Sequence, residues 1–196
     1  MGLVSAMPSG PGVIADELIA EIAAGVPPPI ATFLLTSRQD AAGILEQHRV
    51  CRTTTLQLVD HVSHSDLRTL RARLPGIKLV QVVHVSGPES VEEARSVAGL
   101  VDALLLDSGN QKLAVKELGG TGRTHDWRVS RQIRETAGVP VFLAGGLRES
   151  NVVEAMQAVR PFGLDVCSGI RTNGKLDAVK LEGFVAQIHG APEAAS

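Results

Sequence analysis

Two glycine-containing segments near the end of the chain have the composition of phosphate-binding turns. Gly145 and Gly146 follow one apolar run, and Ser168 and Gly169 follow the next. Glycine lets the backbone come close to a ligand, and backbone N–H groups at the start of a helix favour an anion. We therefore predict that the two turns bind one phosphate group together. The alternative is that they are ordinary turns between a strand and a helix.

A third glycine-rich segment, GGTGRT at 119–124, includes Gly120 and Thr121 and precedes a helical pattern. It does not end in Lys followed by Ser or Thr, so it is not a P-loop. A lid or a phosphate-facing loop is one interpretation, and a flexible connector is the alternative.

A carboxylate, Asp107, ends the apolar run that begins at 101. In a barrel of parallel strands, a side chain at the carboxyl end of a strand faces the mouth, where active sites lie. Burial there would raise the pKa of its carboxyl group and suit it to donate a proton as a general acid. The alternative is a helix cap or a loop carboxylate.

A thiol and a second carboxylate stand on the last predicted strand. Asp165 and Cys167 are two residues apart, so their side chains are expected on the same face, with Cys167 nearer the mouth. Inert packing is the favoured alternative for Cys167. His84 also ends a strand-like run, and a structural role is the favoured alternative for it.

Seven apolar, strand-like runs alternate with seven helical patterns and could hold these residues in place. The runs lie at 2–6, 30–36, 54–59, 78–85, 101–107, 139–144 and 163–167, and the helical patterns at 16–24, 40–48, 66–74, 90–98, 127–137, 151–159 and 179–188. Near-continuous apolar runs are typical of parallel strands covered on both faces. Ser65, Asp126 and Ser150 are predicted to cap three of the helices.

Repeating strand–helix units form either a closed barrel or an open, doubly wound sheet. The glycine turns after the last two units favour the barrel. We therefore predict an α/β fold, a (βα) TIM-type barrel that occupies a single domain over 1–190, followed by a flexible tail at 191–196.

Composition excludes several classes of function. The net charge is −2 and the basic residues are scattered, which argues against nucleic-acid binding. Two cysteines without a CxxC motif argue against a disulfide framework or a structural zinc site, and no metal site is expected. No apolar run approaches the length of a membrane span, and no signal peptide is evident, so a cytoplasmic location is expected.

Four segments resemble phosphoribosylanthranilate isomerase in their order and spacing. They read LLLDS at 104–108, GGTGRTHDW at 119–127, PVFLAGGL at 140–147 and DVCSGI at 165–170. The resemblance is strong between 101 and 188 and faint before it. It implies a (βα)8 barrel that performs an Amadori rearrangement of a phosphoribosylated aminoaldose to an aminoketose, in tryptophan biosynthesis and without a cofactor.

The resemblance also implies roles for individual residues. The family's general acid protonates the ribose ring oxygen and opens the ring to a Schiff base; it corresponds to Asp107. A general base then removes the C2′ proton. The family's phosphate contacts correspond to Gly145, Gly146, Ser168 and Gly169, and Gly120 and Thr121 correspond to the glycine-rich loop beside them.

The beginning of the chain departs from the family pattern. The family opens with a strand that ends in Lys-x-Cys-Gly, whose Cys is the general base, whereas the residues at 1–4 resemble the second strand. We therefore expect an incomplete barrel of seven βα units without the first. The family's Ser-Pro-Arg, whose Arg holds the anthranilate carboxylate, is matched by PSGP at 8–11, and Arg171 stands where a Glu is common.

These departures leave three functions open. The first is the isomerase, either active or represented here by an incomplete chain. Cys167 is the candidate for a substitute base if a cation such as Arg171 lowers the pKa of its thiol. The second is a non-catalytic phosphosugar-binding or partner-binding derivative of the barrel. The third is a different phosphosugar enzyme with a new base. A sheet with two open edges is an aggregation hazard, and we expect a homodimer to cover them.

Overall fold

Seven parallel strands form one sheet in a computed structural model of the chain, which describes residues 1–8, 12–109 and 125–191. The strands are short and mostly buried, as parallel strands covered on both faces are. They are β1 (Gly2–Val4), β2 (Phe33–Thr36), β3 (Thr55–Leu58), β4 (Lys78–His84), β5 (Ala103–Asp107), β6 (Val141–Leu143) and β7 (Gly163–Leu164).

The strand order is that of a barrel wall. β1 to β7 follow one another across the sheet without a reversal, whereas a doubly wound sheet reverses at a switch point. Within the described residues, the only strand that pairs with β1 is β2 and the only one that pairs with β7 is β6, although Val4 of β1 also forms an isolated parallel bridge with Val13. The predicted TIM-type fold, with seven βα units and unpaired first and last strands, is confirmed.

A helix follows each strand and packs on the outer face of the sheet. The helices are α1 (Asp16–Gly25), α2 (Ala41–Cys51), α3 (His64–Arg73), α4 (Glu89–Ala98), α5 (Trp127–Thr136), α6 (Val152–Val159) and α7 (Ala178–Gly190). None of the helices in these described ranges is long and apolar enough to cross a membrane.

At the starts of α2, α3, α5 and α7, a side chain accepts hydrogen bonds from free backbone N–H groups. Asp126 caps α5, as predicted, by accepting from the backbone N of Arg128 at 2.9 Å. Ser63, rather than the predicted Ser65, caps α3. At α6 the N-cap position belongs to Asn151 rather than to the predicted Ser150.

Alternation along the strands divides the core into two parts. Outward side chains such as Leu34, Leu56 and Leu104 are fully buried against the helices. Inward side chains, among them Val80 and Leu105, form a smaller cluster inside the curl of the sheet. Burial of each large aliphatic side chain stabilises the fold by about 1.5–3 kcal/mol, so the outer core supplies most of the apolar stabilisation.

The last unit differs from its sequence-based prediction. β7 ends at Leu164, and a single 3-10 turn (Ser168–Ile170) replaces the end of the strand predicted at 163–167. An antiparallel hairpin that was not predicted, β8 (Arg171–Thr172) with β9 (Lys175–Leu176), precedes α7. The glycine-rich loop at 119–124, with Gly120 and Thr121, and the tail at 192–196 lie outside the described residues.

Candidate functional site

The turn after β6 has a backbone conformation that favours glycine. Gly145 and Gly146 have φ angles of +83° and +66°, in the left-handed region where a Cβ atom is strained. A Cβ on Gly145 would also lie 2.9 Å from both the backbone N and the Oγ of Ser108. The turn is therefore pressed against the residue that follows Asp107, which puts a predicted phosphate turn beside the predicted acid.

The second predicted phosphate turn packs on the segment that follows the first. Ser168 and Gly169 form the start of the 3-10 turn after β7. A Cβ on Gly169 would overlap the backbone carbonyl of Leu147, so only glycine allows this approach. The structure thus brings together all the predicted phosphate-binding residues that it describes.

Asn151 fixes the shape of the first turn. Its side-chain Nδ2 donates to the carbonyl O of Gly146 at 3.0 Å, and its Oδ1 accepts from the backbone N of Arg148 at 2.9 Å. The residue is only 9% exposed, so these bonds are largely shielded from water. Sequence reasoning assigned no role to Asn151, because its side chain bonds back to the turn before α6 and not to the helix that follows, so no local capping pattern indicates these bonds.

A cleft of about 710 Å³ opens where the two turns meet. Gly146, Ser168 and Gly169 line it; Arg148 and Lys180 add two positive charges to its wall, against one negative charge from Glu149. Backbone N–H groups and cations together are the usual surroundings of a bound phosphate. The arrangement is therefore suited to an anionic group.

Asp107 is the last residue of β5 and is only 6% exposed. Burial raises the pKa of its carboxyl group, which outweighs the opposite effects of the backbone N–H of Ser108 and of His84. That N–H donates to the Asp107 Oδ1 at 2.8 Å. A carboxyl group with a raised pKa keeps its proton to a higher pH, as a general acid must.

His84 pairs with Asp107 in the register of β4 and β5. Its Nε2 lies 2.9 Å from the carbonyl O of Val59; because a carbonyl only accepts hydrogen bonds, this nitrogen carries a proton. Its Nδ1 is buried and has no hydrogen-bond partner within the described ranges. His84 therefore lies beside the predicted acid, and its hydrogen bond with the carbonyl of Val59 is of the structural kind that the sequence favoured.

Asp165 follows β7 directly and continues its ladder, because its backbone N donates to the carbonyl O of Leu143 at 2.9 Å. Burial of its carboxyl group inside the curl, and then the charge of Asp107, raise its pKa to about 6. The residue as a whole is exposed at the open end of the sheet. Asp107, by contrast, is buried as a whole residue.

The two cysteines differ in position. Cys51 is buried on the outer side of the sheet, where its thiol lies 3.7 Å from the carbonyl O of Asp16, and burial raises its pKa to about 12. Cys167 is half-buried and has φ −130° and ψ −74°. This is not an extended conformation, so strand alternation does not fix the direction of the Cys167 side chain as the sequence suggested.

Arg171 connects the last loop of the sheet to the first. Its Nη1 donates to the carbonyl O of Gly174 at 2.8 Å, and its Nη2 lies 3.8 Å from the position that a Cβ on Gly12 would take. Gly12 belongs to the loop after β1. The loops of the two unpaired edge strands therefore meet at the mouth, which no local sequence pattern indicated.

Comparison with known proteins agrees with the resemblance. The sequence model of the family described as N-(5'phosphoribosyl)anthranilate (PRA) isomerase matches residues 9–187. An N-(5'-phosphoribosyl)anthranilate isomerase of Methanocella arvoryzae is 32% identical over 189 residues, which cover 96% of this chain and 86% of the relative.

Solved structures show the same likeness. The phosphoribosyl anthranilate isomerase of Thermotoga maritima has a TM-score of 0.80 at 26% identity, with 96% of this chain and 87% of that chain covered. A complex of such an enzyme with reduced 1-(o-carboxyphenylamino)-1-deoxyribulose 5-phosphate has a TM-score of 0.77 at 25% identity, with 96% and 86% covered. The Thermotoga maritima enzyme is described as dimeric.

Proposed function

Because the chain belongs to the N-(5'-phosphoribosyl)anthranilate isomerase family, we propose that it converts N-(5'-phosphoribosyl)anthranilate, an aminoaldose, to the corresponding aminoketose. The reaction is an intramolecular rearrangement in tryptophan biosynthesis and needs no cofactor. One observation carries the proposal: the two glycine turns meet beside the buried Asp107 at the carboxyl edge of the sheet. A phosphate site next to a proton donor suits a phosphorylated aminosugar.

The proposed phosphate site is built from backbone groups. The tight packing of the two turns and the positive charge of the cleft support it. It comprises Gly145, Gly146, Ser168 and Gly169, together with Gly120 and Thr121 from the loop outside the described residues.

Asp107 is the proposed general acid. It gives its proton to the ribose ring oxygen, the bond from that oxygen to C1′ breaks, and the nitrogen lone pair forms the C=N bond of a Schiff base. The buried position of Asp107 supports this role, because a protonated carboxyl group is needed at the pH of the cell. Cys167 is the thiol that the sequence offers as the general base for the next step.

The proposal is tested with the purified chain and two measurements. The first follows the fluorescence of the substrate's anthranilate group during turnover. The second is calorimetric titration with the reduced 1-(o-carboxyphenylamino)-1-deoxyribulose 5-phosphate that binds a relative. We expect both turnover and binding.

Binding without turnover would instead support a non-catalytic phosphosugar-binding protein. The observation that favours this second candidate is that the segment at 8–11, Pro-Ser-Gly-Pro, lacks the Arg of the family's Ser-Pro-Arg. An absence of both binding and turnover would contradict either function.

We further propose that residues 1–190 form one domain and that two copies pair in the cytoplasm. A single sheet that joins β1 to β7 supports one domain. The exposed Phe162 and Met1, at the two unpaired edges, support a homodimer, and the Thermotoga maritima relative is described as dimeric. The cytoplasm is where a charged, phosphorylated intermediate of biosynthesis is retained.

A further inference from the structure

The guanidinium group of Arg171 stands at the mouth of the sheet, in the segment that follows β7. Arg171 is the first residue of β8 and comes directly after the 3-10 turn of the proposed phosphate site. Its Nη1 donates to the carbonyl O of Gly174 at 2.8 Å, and its own carbonyl O accepts from the Nζ of Lys180 at 3.0 Å. The hairpin and α7 therefore hold this half-buried residue in place.

The charge of Arg171 has no carboxylate partner in the described part of the chain. None of the ion pairs within 1–8, 12–109 and 125–191 includes Arg171. Within the same ranges, the bond to Gly174 is the only hydrogen bond that the guanidinium group makes. Its other N–H groups all donate and none accepts, so they are available to an anion.

The loop after β1 lies on the other side of this cation. The Nη2 of Arg171 is 3.8 Å from the position that a Cβ on Gly12 would take. The chain then returns to β1, because Val13 bridges to Val4 and the backbone N of Ile14 donates to the carbonyl O of Val4 at 2.9 Å. This loop, residues 5–15, contains no Lys or Arg of its own, so Arg171 is the cation that the opposite edge of the sheet brings to it.

We propose that Arg171 binds the carboxylate of the substrate's anthranilate group and so selects a carboxylated aryl amine. The assignment rests on the isomerase function proposed above. The substrate carries an anion at each end, a phosphate on C5′ and a carboxylate on the aromatic ring. The two glycine turns match the first anion, and the unpaired guanidinium group, which can form two parallel hydrogen bonds with a carboxylate, matches the second.

The other two described arginines in the loops after the strands are engaged elsewhere. Arg148 lines the cleft at the glycine turns, and its Nε donates to the Oγ of Ser150 at 2.9 Å. The Cδ of Arg38 lies 3.4 Å from the position that a Cβ on Gly43 would take, so its side chain runs along the start of α2. Of these three arginines, only Arg171 lies between the loops of the two edge strands.

Met7 offers an apolar surface for the aromatic ring in the same loop as Gly12. Its side chain packs against the inward cluster that includes Val59 and Ala144. A thioether makes favourable contacts with an aromatic ring. The ring is therefore expected to lie on Met7, with its carboxylate directed to Arg171.

The test uses two ligands that differ only in the carboxylate. One is reduced 1-(o-carboxyphenylamino)-1-deoxyribulose 5-phosphate, the reduced product analogue, and the other is the same compound without its carboxyl group. In calorimetric titrations of the full chain, Arg171→Gln should weaken binding of the reduced product analogue by about 10–100-fold, because a charge-assisted pair is lost. Binding of the second compound should stay the same as in the parent protein.

Kinetic measurements separate binding from chemistry. Since the carboxylate takes no part in bond making, Arg171→Gln should raise KM by a similar factor and leave kcat nearly unchanged. Arg171→Lys keeps the charge but not the two parallel donors, so its loss should be smaller and again confined to the carboxylated ligand. Arg49→Gln is the matched control, because Arg49 is an exposed residue of α2 that pairs with Glu46; it should change neither titration.

The outcomes distinguish the assignment from the function on which it rests. If Arg171→Gln and Arg171→Lys weaken both ligands equally, Arg171 only supports the hairpin and the assignment is wrong. It is also wrong if the parent protein binds both ligands with the same affinity, or if Arg171→Gln keeps the parent's affinity for the carboxylated one, and in these cases turnover by the parent protein would leave the isomerase function standing. A parent protein that neither binds these ligands nor turns over the substrate would overturn the isomerase function and this assignment together.

Discussion

Two aspartates on the inner face of the sheet lie in different surroundings. Asp107 ends β5, in the middle of the sheet, and burial raises the pKa of its carboxyl group. Asp165 directly follows β7, the edge strand, and is exposed as a residue, although burial of its carboxyl group and the charge of Asp107 also raise its pKa. The same side chain is therefore placed in two environments by its position in the sheet alone.

The first prediction at this scale concerns the activity of Asp107. Asp107→Asn should reduce kcat by about 10²–10⁴-fold, because the amide cannot protonate the ring oxygen. Binding of the reduced product analogue, measured by calorimetry, should change little, since the analogue has no ring to open. Turnover close to that of the parent protein would exclude Asp107 from the mechanism.

The same substitution should change how stability depends on pH. The pKa of Asp107 is raised in the folded protein, whereas in the unfolded chain it is about 3.9. The folded state therefore binds the proton more tightly than the unfolded chain does. The stability that this gives is fully present below the pKa of the unfolded chain, and it is lost as the pH rises through the pKa of the folded protein.

Asn carries no charge at any pH. Relative to the parent protein, Asp107→Asn should therefore become progressively more stable as the pH rises from about 4, near the pKa of the unfolded chain, through the raised pKa of the folded protein. Urea unfolding at several pH values measures the difference. If the difference in the free energy of unfolding stays constant with pH, the pKa of Asp107 is the same in the folded protein as in the unfolded chain.

A third prediction concerns the contact between the glycine turns. Gly169→Ala puts a methyl group onto the carbonyl of Leu147, so the turns must separate; we expect a loss of about 1–3 kcal/mol in the free energy of unfolding and weaker binding of the phosphorylated analogue. Gly76→Ala is the control, because a Cβ there meets nothing within 4 Å. Equal effects of the two substitutions would contradict the packing argument.

At the scale of elements, the junction between β6 and α6 determines the shape of the first glycine turn, which belongs to the proposed phosphate site. The N-cap of α6 is Asn151 and not Ser150, which the sequence suggests. The side-chain amide of Asn151 accepts a hydrogen bond from the backbone N of Arg148 and donates one to the carbonyl O of Gly146. The same residue therefore starts a helix and holds the glycine turn in place. The predicted cap at Ser65 was wrong for a similar reason, since α3 begins at His64, immediately after Ser63.

Removal of this link should loosen the turn without unfolding the helix. Asn151→Ala leaves the carbonyl of Gly146 and the N–H of Arg148 without their partner, at a cost of about 1–3 kcal/mol. We expect weaker binding of the reduced analogue and a lower melting temperature. Ser150→Ala, which removes only the exposed hydrogen bond from the Nε of Arg148, should have a much smaller effect on both measurements.

At the scale of the whole molecule, the first and last strands of the described sheet do not pair with each other, but the loops that follow these two strands approach each other. β1 and β7 do not pair within the described residues, yet Arg171 reaches from the last loop to the loop after β1. The opposite end of the gap is apolar, since Phe162 is 71% exposed and contacts Phe142 with a ring-centroid distance of 5.4 Å. An exposed phenylalanine beside an unpaired strand is a natural contact for a second copy.

The whole-molecule prediction is therefore about assembly. The parent protein should be a dimer by light scattering, and Phe162→Asp should shift it towards the monomer, because a charge at the edge opposes burial. Circular dichroism of the variant should match that of the parent protein, since Phe162 is mostly exposed. A parent protein that is monomeric at every concentration would contradict the proposed homodimer.

The sequence by itself determined the repeating strand–helix architecture, the glycine turns and Asp107. These are local signals: apolar runs report strands covered on both faces, a glycine pair reports a backbone that other residues resist, and a carboxylate that ends an apolar run reports a strand end. The helix starts and the length of β7 were less certain, because neighbouring polar residues compete for the same cap and a short edge strand has few apolar positions.

Only the tertiary structure decided which of these residues act together. The register across β5, β6 and β7 aligns Asp107 with Asp165, and the packing of Gly169 on Leu147 joins the two turns. The bend of the backbone after β7 removed the argument that had directed Cys167 inward. Register and curvature depend on contacts between residues far apart in the chain, so no local pattern of residues specifies them.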